Sequence, residues 1–164
     1  MRRLTLALVL ALAACAAPPP VAAFRKPGAP IWSSAAFTPA RIAGDWQQAA
    51  VFASGKGAGC APGRLRVDPG PAGLTVSGRL CLDGQQVALS GPLRPVGPGR
   101  LAVAGMEDWW VIWVDADYRT LAVATPSGRF GFVLDRGKIG PDRLKAAGEI
   151  FDFNGYPKAR MIAY

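Results

Sequence analysis

From Gly44 onward the apolar residues fall in short runs separated by clusters of Gly, Pro and Asp. That is the rhythm of strands joined by turns. The pattern predicts strands over Gly44–Phe52, Arg64–Val67, Leu74–Leu82, Gln86–Leu93, Leu101–Ala104, Trp109–Val114, Thr120–Thr125 and Arg129–Leu134. In Leu74–Leu82 the alternation is clean, with Leu74, Val76, Leu80 and Leu82 set against Thr75, Ser77, Arg79 and Cys81. Trp109–Val114 behaves differently. Trp109, Val111 and Trp113 are apolar on one parity, and Trp110, Ile112 and Val114 on the other. A strand wetted on one side would alternate. Both faces are therefore covered, as in a sheet that closes into a barrel and is also packed on its outside.

One segment has helical spacing instead. Leu144, Ala147, Gly148 and Phe151 make a single apolar face over Pro141–Phe151. Pro141 suits the first helical position, Asp142 complements the positive helix end, and Asn154-Gly155 supplies a left-handed stop. A short run, Arg160–Ala163, follows as a further strand. A lone amphipathic helix after eight strands packs outside the sheet. The fold class expected is all-β: an eight-stranded antiparallel up-and-down barrel with one C-terminal helix on its surface.

The first residues read otherwise. Met1-Arg2-Arg3 precedes an apolar run, Leu4 to Ala14. That is shorter than the ~20 residues of a membrane-spanning helix, so it reads as a secretory signal over residues 1–14. Leu12-Ala13-Ala14-Cys15 resembles the lipobox of bacterial lipoproteins, which implies cleavage before Cys15 and lipidation of that residue; the alternative is an ordinary signal cut elsewhere. Residues 15–35 then form a lipidated Cys and an Ala/Pro-rich tether, and residues 36–164 the folded domain.

Two cysteines remain, Cys60 and Cys81. In an oxidising compartment an even pair argues for a disulfide. Metal binding by the pair is the weaker alternative, because a chain with no His has nothing to complete a zinc site. The missing His also removes Ser-His-Asp and Cys-His catalysis. No metal and no cofactor is expected. Gly55-Lys56-Gly57-Ala58-Gly59 matches neither a phosphate loop nor a dinucleotide fingerprint. The formal net charge of +8 comes from scattered basic residues. It suits an anionic membrane surface better than nucleic acid, for which no motif is present.

Two motifs and an end residue carry a family resemblance. Phe37-Thr38-Pro39-Ala40-Arg41-Ile42-Ala43-Gly44-Asp45-Trp46 resembles the opening Gly-X-Trp segment of the lipocalins. Asp115-Ala116-Asp117-Tyr118-Arg119 stands where that family has a Thr-Asp-Tyr turn, with Ala116 in place of the Thr. Arg136 follows the last barrel strand, as the family's Arg does. In order, and followed by the helix, these features resemble bacterial outer-membrane lipocalins over about Phe37 to Tyr156. After Gly-X-Trp the family continues with Tyr-Glu, whereas this chain has Gln47-Gln48, a departure that bears on ligand chemistry and not on the barrel.

The resemblance implies that Gly44, Trp46 and Arg136 close one end of the barrel, the guanidinium lying across the indole. Such a contact contributes ~1–2 kcal/mol when desolvated. With Arg136 at the floor, Leu134, Phe132 and Phe130 face the cavity by parity. The same matching places Ala122, Ala124, Val111, Trp113, Gln48 and Ala50 inward, an apolar lining that leaves room for a ligand. A barrel filled by its own aromatics is the alternative.

The function expected is a membrane-anchored carrier of a small hydrophobic ligand, such as a fatty acid or lysophospholipid. Its expected site is the bacterial envelope, on the outer membrane facing the periplasm, as a monomer or weak dimer without nucleic-acid partners. An envelope lipoprotein that acts through its outer surface, structural or inhibitory, is the competing reading. Catalysis by Asp115 and Asp117 is a third, but carboxylates in a turn more simply cap it, and the protein is not expected to be an enzyme.

Overall fold

The computed structural model describes residues 23–164. The signal, Cys15 and the first part of the tether lie outside the described residues. The strands are β1 (Gly44–Phe52), β2 (Arg64–Gly70), β3 (Gly73–Leu82), β4 (Gln85–Gly97), β5 (Arg100–Val103), β6 (Trp109–Val114), β7 (Thr120–Ala124) and β8 (Gly131–Asp135). A helix, α1 (Pro141–Phe153), and a last strand, β9 (Met161–Ala163), follow. From β2 to β8 each strand pairs antiparallel with the next. β1 closes the ring by pairing with β8 on one edge and β2 on the other. Further along the β2 edge, β1 takes β9 as its partner, Ala50 opposite Ala163. The result is a closed eight-stranded antiparallel barrel with one helix packed outside.

Two strands outrun their sequence pattern. β2 continues to Gly70, and β4 passes through Pro92 and Pro95 to Gly97. Proline reads as a strand breaker because it cannot donate to a ladder. Here the β3 ladder carries β4 through Pro92, and the β5 ladder carries it past Pro95 with a register shift between Pro95 and Gly97.

The buried side chains divide into two sets. One takes members from all eight barrel strands, among them Trp46, Leu65, Val76, Leu93, Leu101, Trp109, Leu121 and Phe132. Only the barrel interior brings all of these together. The other joins Ala50, Phe52, Ile112, Ala122, Ala124 and Val133 to Ala147 and Phe151 of α1, with Tyr156 and Phe24. This second core, between barrel wall and helix, is why β6 to β8 lack a polar face. The helix lies close. A Cβ on Gly131 would come within 3.0 Å of Phe151, Phe52 and Tyr156, so only glycine admits that approach.

Polar contacts fix the helix as well. Asp135, 2% exposed, accepts the Thr120 hydroxyl at 2.6 Å and the Gly137 N–H at 3.0 Å. Arg143 of α1 reaches the same carboxylate at 3.2 Å and the Thr120 oxygen at 2.8 Å. The Tyr156 hydroxyl accepts the Thr125 N–H and donates toward the Thr125 and Phe130 carbonyls.

The stretch ahead of the barrel is a docked arm from Phe24 onward, whereas composition assigned residues up to 35 to the tether. The Phe24 N–H bonds Gly128, that of Lys26 bonds Gly155, and that of Ser34 bonds Val111. Phe24 is buried and its ring lies 6.1 Å from that of Phe52. A single aromatic among Ala and Pro is enough to seat the segment on the second core.

Candidate functional site

One end of the barrel is closed. The Arg136 guanidinium sits 4.3 Å from the centre of the Trp46 ring. It donates to the carbonyls of Tyr118, Arg41 and Ala43 at 2.8–2.9 Å. Trp46 donates its indole N–H to Ile42 at 2.8 Å. Gly44 has φ +111, and a Cβ there would lie 2.8 Å from the Arg136 guanidinium. Glycine is therefore needed for both backbone and space. Tyr118, at φ 55, accepts the Thr38 N–H on its hydroxyl at 2.7 Å and carries Arg41 stacked 3.8 Å from its ring centre. Asp115 accepts the N–H groups of Arg119 and Thr120 at 2.7 and 2.6 Å, and Asp117 pairs with Arg119 at 3.0 Å. Asp115 caps the turn, and Asp117 is tied to it through Arg119.

The side wall is stapled. Cys60 and Cys81 are disulfide-bonded, with Cα atoms 5.7 Å apart. Beside them Gln48 is fully buried. Its carbonyl oxygen accepts the N–H groups of Gly63 and Cys81, and its amide donates to the Cys81 carbonyl. These three hydrogen bonds make Gln48 a structural brace, and it does not line the cleft at the barrel's open end.

The residues expected to line the cavity separate into two groups. Val111, Phe130, Phe132 and Leu134 belong to the interior core. Ala50, Trp113, Ala122 and Ala124 pack on the other side of the wall, against the helix and the arm. Two bulges account for the first two corrections. The β1–β8 register shifts between Gln48 and Ala50, which turns Val51 inward and Ala50 outward. The β6–β7 register shifts between Val111 and Trp113, which does the same to Trp113. An extra residue reverses every later side chain in a strand. In β7 the parity is the reverse of that expected: Val123 lies opposite Phe132 and Leu121 opposite Leu134. Directly paired residues share a face, so Leu121 and Val123 point inward and Ala122 and Ala124 outward.

The other end is open. A cleft of about 390 Å³ lies among the β3–β4 turn, the β5–β6 loop and the start of β8. Leu82, Val87, Met106 and Phe130 give it an apolar body, and Asp83, Gln85, Glu107 and Arg129 a polar margin. Asp83 accepts the Ser54 N–H and hydroxyl, and Glu107 likewise those of Ser127. Arg129 forms no ion pair among the described residues. Below the cleft, Phe130 stacks on Phe132, ring centres 6.1 Å apart, and Phe132 meets Trp109 edge-on at 5.2 Å. Of the expected lining, Phe130 alone reaches the cleft. Strand alternation carries no information about loop residues such as Met106 and Glu107. The up-and-down order could have found them, since it puts the β5–β6 loop at the same end as the β7–β8 turn.

No protein-family model matches the chain, and no curated protein matches it in sequence. Solved structures do match in shape. Lobster apocrustacyanin A1 superposes with a TM-score of 0.54 at 15% identity, over 76% of this chain and 77% of that one. The allergen Per a 4 from cockroaches gives 0.58 at 10% identity, over 82% and 90%. The siderocalin Ex-FABP, which functions through dual ligand specificities, gives 0.51 at 14% identity, over 75% and 93%. At these identities the likeness concerns architecture. The fold of this chain is the lipocalin fold.

Proposed function

We propose that this protein binds a small hydrophobic ligand through the open end of its barrel, held in the bacterial envelope by a lipid on Cys15. The carrying observation is the asymmetry of the barrel: one end closed by Arg136 over Trp46, the other holding an apolar cleft of about 390 Å³. Small-molecule sites span roughly 300–1,000 Å³, mostly apolar with a few polar groups. A single acyl chain with a polar head, as in a fatty acid or lysophospholipid, suits an apolar body with a polar margin. Burying about 300 Å² of such a chain yields about 7 kcal/mol gross at ~25 cal/mol per Å², before the cost of ordering it. The gross figure alone corresponds to a Kd of about 10 µM, so with the ordering cost the expected scale is tens to hundreds of micromolar.

A lipid anchor would keep the carrier beside its lipid source and raise the local ligand concentration. The role is binding, not catalysis. Mass spectrometry of an organic extract from gently purified protein tests the reading, followed by fatty-acid titration of the tryptophan emission. Co-purified lipid and saturable quenching support it. An empty extract with no saturable response refutes it and favours a protein that works through its outer surface.

A further inference from the structure

The docked arm determines where the chain meets its anchor. At its upper end the Phe24 N–H bonds the Gly128 carbonyl, and Arg25 donates to the Pro126 carbonyl at 2.6 Å. Both acceptors belong to the β7–β8 turn, whose next residues, Arg129 and Phe130, line the open cleft. The described chain thus begins at the rim of the open end. Seven residues, Ala16–Ala22, separate Cys15 from Ala23. However arranged, that stretch spans at most about 28 Å. We infer that the rim of the open end, and not the closed end, is the face that lies on an anionic phospholipid surface. The inference rests on the proposed lipidation of Cys15.

Exposed cations occur at both ends, so reach of the tether and not charge alone sets the orientation. Around the rim and the arm's exit, Lys26, Lys56, Arg129 and Arg160 are exposed, and none forms an ion pair among the described residues. The carboxylates there are Asp83 and Glu107, which accept loop hydrogen bonds and keep their charge, and exposed Asp108 and Asp152. At the closed end Arg66 pairs with Asp45 and Asp68, and Arg119 with Asp115 and Asp117, while Arg136 and Lys138 are exposed without an ion pair among the described residues. Unpaired Lys and Arg near an anionic leaflet are attracted to it.

Two exposed aromatics lie along the arm and at the end of α1. Trp32 is 60% and Phe153 70% exposed. They flank Asn154, whose side chain accepts the Trp32 N–H at 2.7 Å and whose carbonyl accepts from Arg25. An exposed Trp such as Trp32 favours the membrane–water interface. To put the closed end on the bilayer instead, the tether would have to run nearly straight back along the barrel wall, at a cost in chain entropy.

The test uses the mature acylated protein in vesicles of phosphatidylethanolamine and phosphatidylglycerol. One fluorophore is placed at Lys56→Cys on the rim, or at Asp117→Cys on the closed end, with nitroxide-headgroup lipid as quencher. The rim label should be quenched several-fold more than the closed-end label. Replacing Lys26, Arg129 and Arg160 with Glu should reduce the difference, as should vesicles of phosphatidylcholine alone. Equal quenching, or stronger quenching at Asp117→Cys, overturns the inference while leaving anchoring intact. Mass spectrometry of the same sample reads acylation at Cys15. Its absence would overturn the anchoring proposal and this inference together.

Discussion

Arg136 shows how one side chain can serve several needs at once. It covers Trp46 and ties the 3-10 turn Pro39–Ile42 to the β6–β7 turn through three carbonyls. Its outer face is exposed, so the cation–π part falls at the low end of the scale. Arg136→Met should lower unfolding free energy by about 1–2 kcal/mol, read by urea denaturation. Arg136→Lys should not restore it, since an ammonium lacks the planar fork. Tyr156 supports the opposite end, its hydroxyl under the Phe130 carbonyl. Burial holds its phenol above the ordinary value of 10.0, partly offset by hydrogen bonds to Thr125. The unfolded chain would therefore ionise this group first as pH rises. Stability linked to Tyr156 is fully present below pH 10 and declines above it. Thermal melts should show an alkaline decline that Tyr156→Phe reduces, against a lower starting stability from the lost hydrogen bonds.

At the scale of elements, the helix is held by apolar packing and by one nearly buried ion pair. Arg143→Ala would leave the Asp135 carboxylate, 2% exposed, without its cation, at a cost of about 2–3 kcal/mol in the melt. Reducing the Cys60–Cys81 bond, which spans 21 residues, should remove about 3 kcal/mol in the chain-entropy treatment. The strands and the helix were legible because hydrophobic period and turn residues change together at each boundary. β1 and β6 were read with their observed limits, and the two-sided hydrophobicity of β6 pointed to the outside helix. What the pattern could not carry was strand phase. The bulges at β1 and β6 leave no mark in an all-apolar run such as Ala49-Ala50-Val51-Phe52. Ala122 and Ala124 look as suitable for a cavity as Leu121 and Val123. Only the β8 partners decide.

For the whole molecule, closure at one end and an open cleft at the other give the barrel a direction. The arm brings the described chain to the open end, beside the apolar cleft. The central claim is that this end takes one amphiphile. Native mass spectrometry of the protein titrated with hexadecanoic acid or a lysophospholipid tests it most directly. The prediction is one ligand per chain, saturating at tens to hundreds of micromolar, and weakened at least tenfold by Met106→Glu, a rim substitution that leaves the circular dichroism spectrum unchanged. No saturable adduct, or an adduct indifferent to Met106→Glu, would contradict it.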